Sequence, residues 1–158
     1  MKQRVLALGI AIAAAFAAFT IVVGCSEPMT LEKYFKDNPN EWATVENQLQ
    51  NMSGDMFSLD VTVEGNNIKQ IMTYTDTFDA QQVAEMKAYF EAQKASLVSQ
   101  LQSSIASVEQ GAKVDGISWY VQFNNGDGSE IFSITIDKNT KVDSAPADTA
   151  AGTSGNAA

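Results

Sequence analysis

Two stretches of alternating apolar and polar residues constrain the fold of this chain more than any other feature. In "FSLDVTVEGNNIKQIMTYT" (57–75) apolar residues recur at nearly every second position, and "GNN" supplies residues that suit a tight turn. The stretch "ISWYVQFNNGDGSEIFSITID" (117–137) repeats this pattern around "NNGDG". A period of two is the period of a strand with one buried face. The sequence therefore predicts two β-hairpins, with polar Gln70 falling on the apolar face of the first one.

A long amphipathic helix is predicted between the two hairpins. Asp79 is suited to the N-cap, Gln82 to a capping box, and Phe78 to a hydrophobic staple with Val83. An apolar stripe then continues at helical spacing until Gly111. The stripe consists of Val83, Met86, Phe90, Leu97, Leu101, Ile105 and Val108. Such a helix is roughly 46 Å long at 1.5 Å per residue, which exceeds the roughly 20 Å of a typical strand.

Two short helical segments precede the first hairpin. Thr30 caps "LEKYFKDN", and Asn38 followed by Pro39 and Glu41 predicts a second start with a capping box. The apolar face of the second segment consists of Trp42, Val45, Leu49 and Met52. The predicted class is α+β, with the order helix, β-hairpin, long helix, β-hairpin and a four-stranded antiparallel sheet whose helices pack on one face.

The composition outside this pattern predicts the remaining organisation. Residues 30–138 form one α+β domain, and residues 139–158, rich in Ala, Ser, Thr, Gly and Asp, form a disordered tail. Residues 1–24 have the layout of a cleaved signal peptide, with Lys2 and Arg4 before an apolar run. Residues 25–29 form a short linker that begins with Cys25, the single cysteine of the chain.

The residues at the end of the apolar run resemble the processing motif of bacterial lipoproteins. Val22, Val23, Gly24 and Cys25 match the lipobox, in which the cysteine receives a diacylglycerol and becomes the first residue of the mature protein. Two or more acyl chains hold a protein stably on a bilayer. The predicted location is the extracytoplasmic face of the cell membrane, through the lipid on Cys25. An uncleaved transmembrane anchor and a buried free cysteine are the alternatives.

The charge of the mature chain excludes some partners. Removing Lys2 and Arg4 from 10 basic and 19 acidic residues leaves 8 and 19, a net charge of −11, and no Arg or His remains. Such a surface repels a phosphate backbone, so no nucleic acid partner is expected. Without His, Arg or a free Cys we expect no catalytic residues, no metal site and no cofactor. A carboxylate-dependent hydrolase is the remaining enzymatic alternative.

The alternation also places three apolar residues on the polar face of the sheet. Tyr120, Ile71 and Ile131 are predicted to point away from the side that holds Trp119 and Phe132. They form a candidate partner-binding patch. The alternatives are unremarkable exposed apolar residues, or coverage by the first helix.

Three segments are similar to a family of small lipoproteins from Gram-positive bacteria. The segments "MTLEKYFKDNP", "VTVEGNNI" and "NNGDGSEIFS" resemble the family of the domain of unknown function 4854, over roughly residues 29–137. The resemblance implies the architecture and a Gram-positive host, and it supplies no catalytic residue. We therefore expect a non-enzymatic, membrane-anchored envelope lipoprotein that binds an envelope protein or peptide. A structural envelope protein without a specific ligand is the alternative.

Overall fold

The computed structural model describes residues 29–52 and 54–141 of the chain. These residues form helices, strands and turns in the order that the sequence predicts. The elements are α1 (Leu31–Asp37), α2 (Pro39–Met52), β1 (Phe57–Glu64), β2 (Asn67–Tyr74), α3 (Ala80–Ala112), β3 (Ser118–Asn124) and β4 (Glu130–Asp137).

The four strands form one sheet in the order β1-β2-β3-β4. The two hairpins are antiparallel, as predicted, but β2 and β3 are parallel, with Asn67 paired to Ser118 and Thr73 paired to Asn124. The prediction of a fully antiparallel sheet is therefore wrong at this one boundary. The reason is the single helix between β2 and β3, because one crossing element returns the chain to the end of the sheet where β2 began.

The apolar side of the sheet and the three helices share one core. Leu31 of α1, Ile105 of α3 and Trp119 of β3 are each fully buried in it. Phe90 of α3 stacks on Phe123, with ring centroids 4.3 Å apart. Gln70 is also fully buried on this side, and its Oε1 accepts a hydrogen bond of 3.1 Å from Nε1 of Trp119.

The starts of the helices follow the predicted capping patterns in two of three cases. The Thr30 side chain accepts from the backbone of the first turn of α1, and Asp79 forms a complete capping box with Gln82 at the start of α3. At the start of α2 the expected partners contact α1 instead. Glu41 accepts a 2.6 Å hydrogen bond from the Tyr34 hydroxyl, and the Asn38 amide donates to the Tyr34 carbonyl. These two contacts connect the start of α2 to α1.

Asn66, in the turn between β1 and β2, ties three parts of the chain together. Its Oδ1 accepts a 2.9 Å hydrogen bond from the backbone of Leu31, the first residue of α1. Its amide donates to the carbonyl of Asp115, which lies just before β3. Its own carbonyl accepts from the backbone of Ser118, the first residue of β3. One turn residue therefore sets both the start of α1 and the parallel alignment of β3.

Asn125 performs the corresponding task at the opposite end of the sheet. It is 3% exposed, and its side chain makes two hydrogen bonds, of 2.7 and 3.0 Å, to the backbone of Phe78 just before α3. Gly126 follows, and a Cβ built on it would lie 2.7 Å from the Asp76 backbone. The "NNGDG" turn is therefore packed against the connection that leads into the long helix.

The described chain enters and leaves the domain at the same end of the sheet. The first residue of α1 contacts Asn66, and Asp137, the last residue of β4, is paired with Ser118, which also contacts Asn66. Asn139 and Thr140, which the composition places in the tail, continue the fold in a hydrogen-bonded turn with Asp137. The tail from residue 142 onward lies outside the described residues.

Candidate functional site

The side of the sheet opposite the helices is a nearly regular array of polar residues, which we call the open face. Because the strands are in register, its residues form rows that run across the sheet. From β1 to β4 the rows are Glu64, Asn67, Ser118 and Asp137; Thr62, Lys69, Tyr120 and Thr135; Asp60, Ile71, Gln122 and Ser133; and Ser58, Thr73, Asn124 and Glu130. The four central positions are therefore Lys69, Ile71, Tyr120 and Gln122.

The open face contains a shallow depression of about 410 Å³ near the Asn66 end of the sheet. Its residues come from all four strands, and they include Lys69, Tyr120 and Gln122 from the centre of the array. Glu64 and Thr135 line it toward the two edges of the sheet. Hydroxyl, amide and charged groups therefore surround one aromatic ring.

Hydrogen bonds along β3 orient the polar side chains of this depression. The Tyr120 hydroxyl donates to Oε1 of Gln122 at 2.8 Å, and Nε2 of Gln122 donates to Oδ1 of Asn124 at 2.8 Å. At the other end of the strand the Ser118 hydroxyl donates to Oδ1 of Asn67 at 2.6 Å. Since the Tyr120 proton is used within this chain, its oxygen remains available as an acceptor.

Lys69 is the only cation among the residues of the open face. Its neighbours in its row are the hydroxyl residues Thr62 and Tyr120. Asp60 and Glu64 are its diagonal neighbours on β1. Within the described part of the chain, no acidic oxygen lies within 4.0 Å of its ammonium group. The array thus has an unpaired positive charge near its centre.

The predicted apolar patch is only partly present. Tyr120 and Ile71 lie half-buried on the open face, as expected from the alternation. The prediction for Ile131 is wrong, because this residue is 3% exposed and belongs to the core. The pairing shifts by one residue at this point: Phe123 faces Phe132 and Asn124 faces Glu130. Ile131 is the extra residue of a β-bulge, and the bulge turns its side chain inward.

A second groove, of about 400 Å³, lies between the first two helices and the edge strand β1. Phe35, Pro39 and Trp42 form its helical wall, and Val61 lies on the strand side. The rings of Phe35 and Trp42 are 5.0 Å apart, and the indole of Trp42 donates a 2.7 Å hydrogen bond to Glu46. The groove is more apolar than the open face, and the sequence pattern does not predict it because it depends on how α2 is placed.

The shifted acid–base groups of the domain have local structural causes. Burial raises the pKa of Tyr74 to about 12. The pKa of Tyr34 is raised mainly by burial, and its hydrogen bond to Glu41 raises it further. Hydrogen bonds from Ser129 lower the pKa of Asp127 in the β3–β4 turn. Asp137, at the margin of the open face, has a pKa lowered by hydrogen bonds from Thr140 and Asn139 in the turn after β4. These shifts therefore indicate packing and turn structure rather than a catalytic pair.

The predicted processing motif lies outside the described residues. Val22, Val23, Gly24 and Cys25 all precede Met29, the first residue that the structure describes. Between residues 29 and 141, leaving out residue 53, no helix combines the length and the apolar character needed to cross a membrane. Within the same residues no three side chains of the types His, Cys, Asp and Glu are grouped as a metal site would need.

These observations define a small α+β domain with a mixed four-stranded sheet, one side covered by helices and the other an open polar array. The chain belongs to the family described as Domain of unknown function (DUF4854), which matches residues 31–136. The match runs from the first residue of α1 almost to the end of β4 and includes every described helix and strand. No curated protein and no solved structure matches the chain.

Proposed function

We propose that the protein is a lipid-anchored, non-enzymatic binding module of the cell envelope, and that the open face contacts its partner. The observation that carries this proposal is the asymmetry of the sheet. One side is buried under three helices, whereas the other presents Tyr120 and an unpaired Lys69 at the centre of an ordered polar array. Polar groups held in place before binding favour recognition, because less ordering is needed in the complex.

The anchor is proposed from the residues before the domain. The segment Val22, Val23, Gly24 and Cys25 resembles a lipobox, and a lipid on Cys25 would hold this acidic protein on a membrane without a basic patch. Thr30 lies five positions after Cys25, which is a reach of at most about 17 Å. In this arrangement the Asn66 end of the sheet faces the bilayer of a Gram-positive host, and the Asn125 end faces outward.

Mass spectrometry of the protein from a membrane fraction tests the anchor. We expect an N-terminal peptide that begins at Cys25 and carries a diacylglycerol on the sulfur. A Cys25→Ser variant is expected to leave the membrane fraction or to retain residues 1–24. An unmodified peptide that continues through Gly24 and Cys25 would contradict the lipid anchor.

Affinity capture from solubilised envelope material, including proteins and wall fragments, tests the binding role. We expect Tyr120→Ala to abolish capture while the circular dichroism spectrum stays unchanged. Ser58→Ala is the matched control, because Ser58 lies on the same face but at its margin on the edge strand. If Tyr120→Ala and the wild type capture the same material, the open face is not the binding surface. Capture of nothing by either protein would favour a structural envelope role.

A further inference from the structure

We propose that the ligand of the open face is a sugar chain that carries a carboxylate group, and that Lys69 binds this carboxylate. The inference rests on the binding role proposed above and names the chemistry of the ligand. It uses three properties of the open face: its small apolar area, its array of hydroxyl and amide groups, and its single unpaired cation.

The apolar area of the open face is too small for a typical protein partner. Protein interfaces depend on a central cluster of large apolar or aromatic side chains. On this face only Tyr120 and Ile71 are of that kind, and both are already half-buried by their neighbours. The third candidate, Ile131, is in the core. Such a surface favours a ligand that is held mainly by hydrogen bonds.

The polar groups around Tyr120 match the hydrogen-bonding chemistry of sugars. Hydroxyls of Thr62 and Thr135 lie in the same row as the ring, and the amide of Gln122 lies beside it along β3. A sugar ring presents hydroxyl and N-acetyl groups at its edge and C–H groups on its faces. An aromatic ring surrounded by oriented donors and acceptors satisfies both kinds of group.

Charge complementarity selects a sugar with a single acidic group. The mature chain has a net charge of −11, so a polyanion would be repelled. Lys69 is nevertheless unpaired in the middle of the face, and its row neighbours are hydroxyl residues. A carboxylate bound there gains a charge-assisted hydrogen bond. Asp60 and Glu64 on the adjoining strand disfavour a second anionic group nearby.

Isothermal titration calorimetry of the full chain in detergent tests this inference with two sugars. One is the disaccharide of N-acetylglucosamine and N-acetylmuramic acid, which has one carboxylate, and the other is the N-acetylglucosamine dimer, which has none. We expect the acidic disaccharide to bind about tenfold more tightly, from one charge-assisted hydrogen bond. Lys69→Gln should remove this preference, whereas Tyr120→Ala should weaken the binding of both sugars.

Lys87→Gln is the matched control, because Lys87 lies exposed on α3, away from the open face, and its loss changes the net charge equally. Sedimentation with intact cell walls distinguishes a wall-bound glycan from soluble fragments.

Absence of heat with both sugars overturns the inference, as does an unchanged preference for the acidic disaccharide in Lys69→Gln. If a protein is captured through Tyr120 while neither sugar binds, the ligand class is wrong and the binding role stands. If the open face instead pairs two copies of the chain, as sedimentation velocity would show, both proposals fail.

Discussion

Replacing Gly126 by alanine is expected to loosen the Asn125 end of the sheet. The new Cβ would lie 2.7 Å from the carbonyl carbon and oxygen of Asp76 and 2.9 Å from the nitrogen of Thr77. These are backbone atoms, so no side-chain rotation relieves the contact, and the two segments must separate by roughly 0.7 Å to reach ordinary contact distance. The hydrogen bonds of 2.7 and 3.0 Å between Asn125 and Phe78 would then be stretched to or beyond their limit.

The cost follows from these two effects. Overpacking against a rigid neighbour costs about 1–3 kcal/mol, and each weakened hydrogen bond costs about 1 kcal/mol. We therefore expect Gly126→Ala to lower the free energy of unfolding by about 3 kcal/mol. In a domain of this size, this corresponds to a fall in melting temperature of roughly 12 °C. Urea denaturation of residues 26–158, followed by the fluorescence of Trp42 and the buried Trp119, measures the change.

Gly54→Ala is the matched control for this substitution. A Cβ on Gly54 would meet no atom within 4 Å, and its φ is not in the left-handed region. Its free energy of unfolding should therefore change by no more than about 0.5 kcal/mol. Equal stability of the two variants would refute the proposed contact between the "NNGDG" turn and the connection before α3.

Three further substitutions test other parts of the structure. Asn66→Ala should lower the free energy of unfolding, measured by urea denaturation, by about 2–3 kcal/mol, because two hydrogen bonds to distant backbone groups are lost. The loss should be larger than for Asn67→Ala, whose side chain is exposed. Ile131→Ala should lower the free energy of unfolding by about 2–5 kcal/mol, as expected for a core position. Ile71→Ala should lower it clearly less, because Ile71 lies on the open face. Equal losses for the two variants would contradict the bulge that turns Ile131 into the core. Tyr74 stays protonated in the folded state up to a pKa of about 12 but ionises near 10 when unfolded, so it makes stability fall as the pH rises above 10. Tyr74→Phe should reduce this fall in melting temperature between pH 9 and pH 11, and an unchanged slope would contradict the assignment.

The hairpins and helices of this domain were predictable because each has a local signal. A period of two with Gly and Asn at the turn specifies a hairpin, and Asp79 with Gln82 specifies the start of α3 through contacts only three residues apart. The pattern places polar Gln70 on an apolar face, and Trp119, 49 residues away, donates a hydrogen bond to its Oε1, whereas its buried Nε2 has no hydrogen-bond partner among the described residues.

The features that were not predicted depend on contacts between distant parts of the chain. Asn125 contacts Phe78 across 47 residues, and Asn66 contacts Leu31 across 35, yet in the sequence both asparagines are ordinary turn formers. The bulge at Ile131 leaves the alternating pattern of the sequence intact while reversing the direction of one side chain. The open face itself was predictable from the alternation, but the pairing of Lys69 with Tyr120 required the parallel alignment of β2 and β3.

Because the described chain begins and ends beside Asn66, the two ends of the domain lie together, and we call this end of the sheet the base. Lys141, the last described residue, therefore leaves the domain at the end of the sheet where Met29 enters it. The tip is formed by the "NNGDG" turn together with the start of α3, whose 33 residues amount to about 50 Å against about 27 Å for an eight-residue strand. A reporter group inserted at Asp127 would therefore measure the height of the tip above a surface that holds the base.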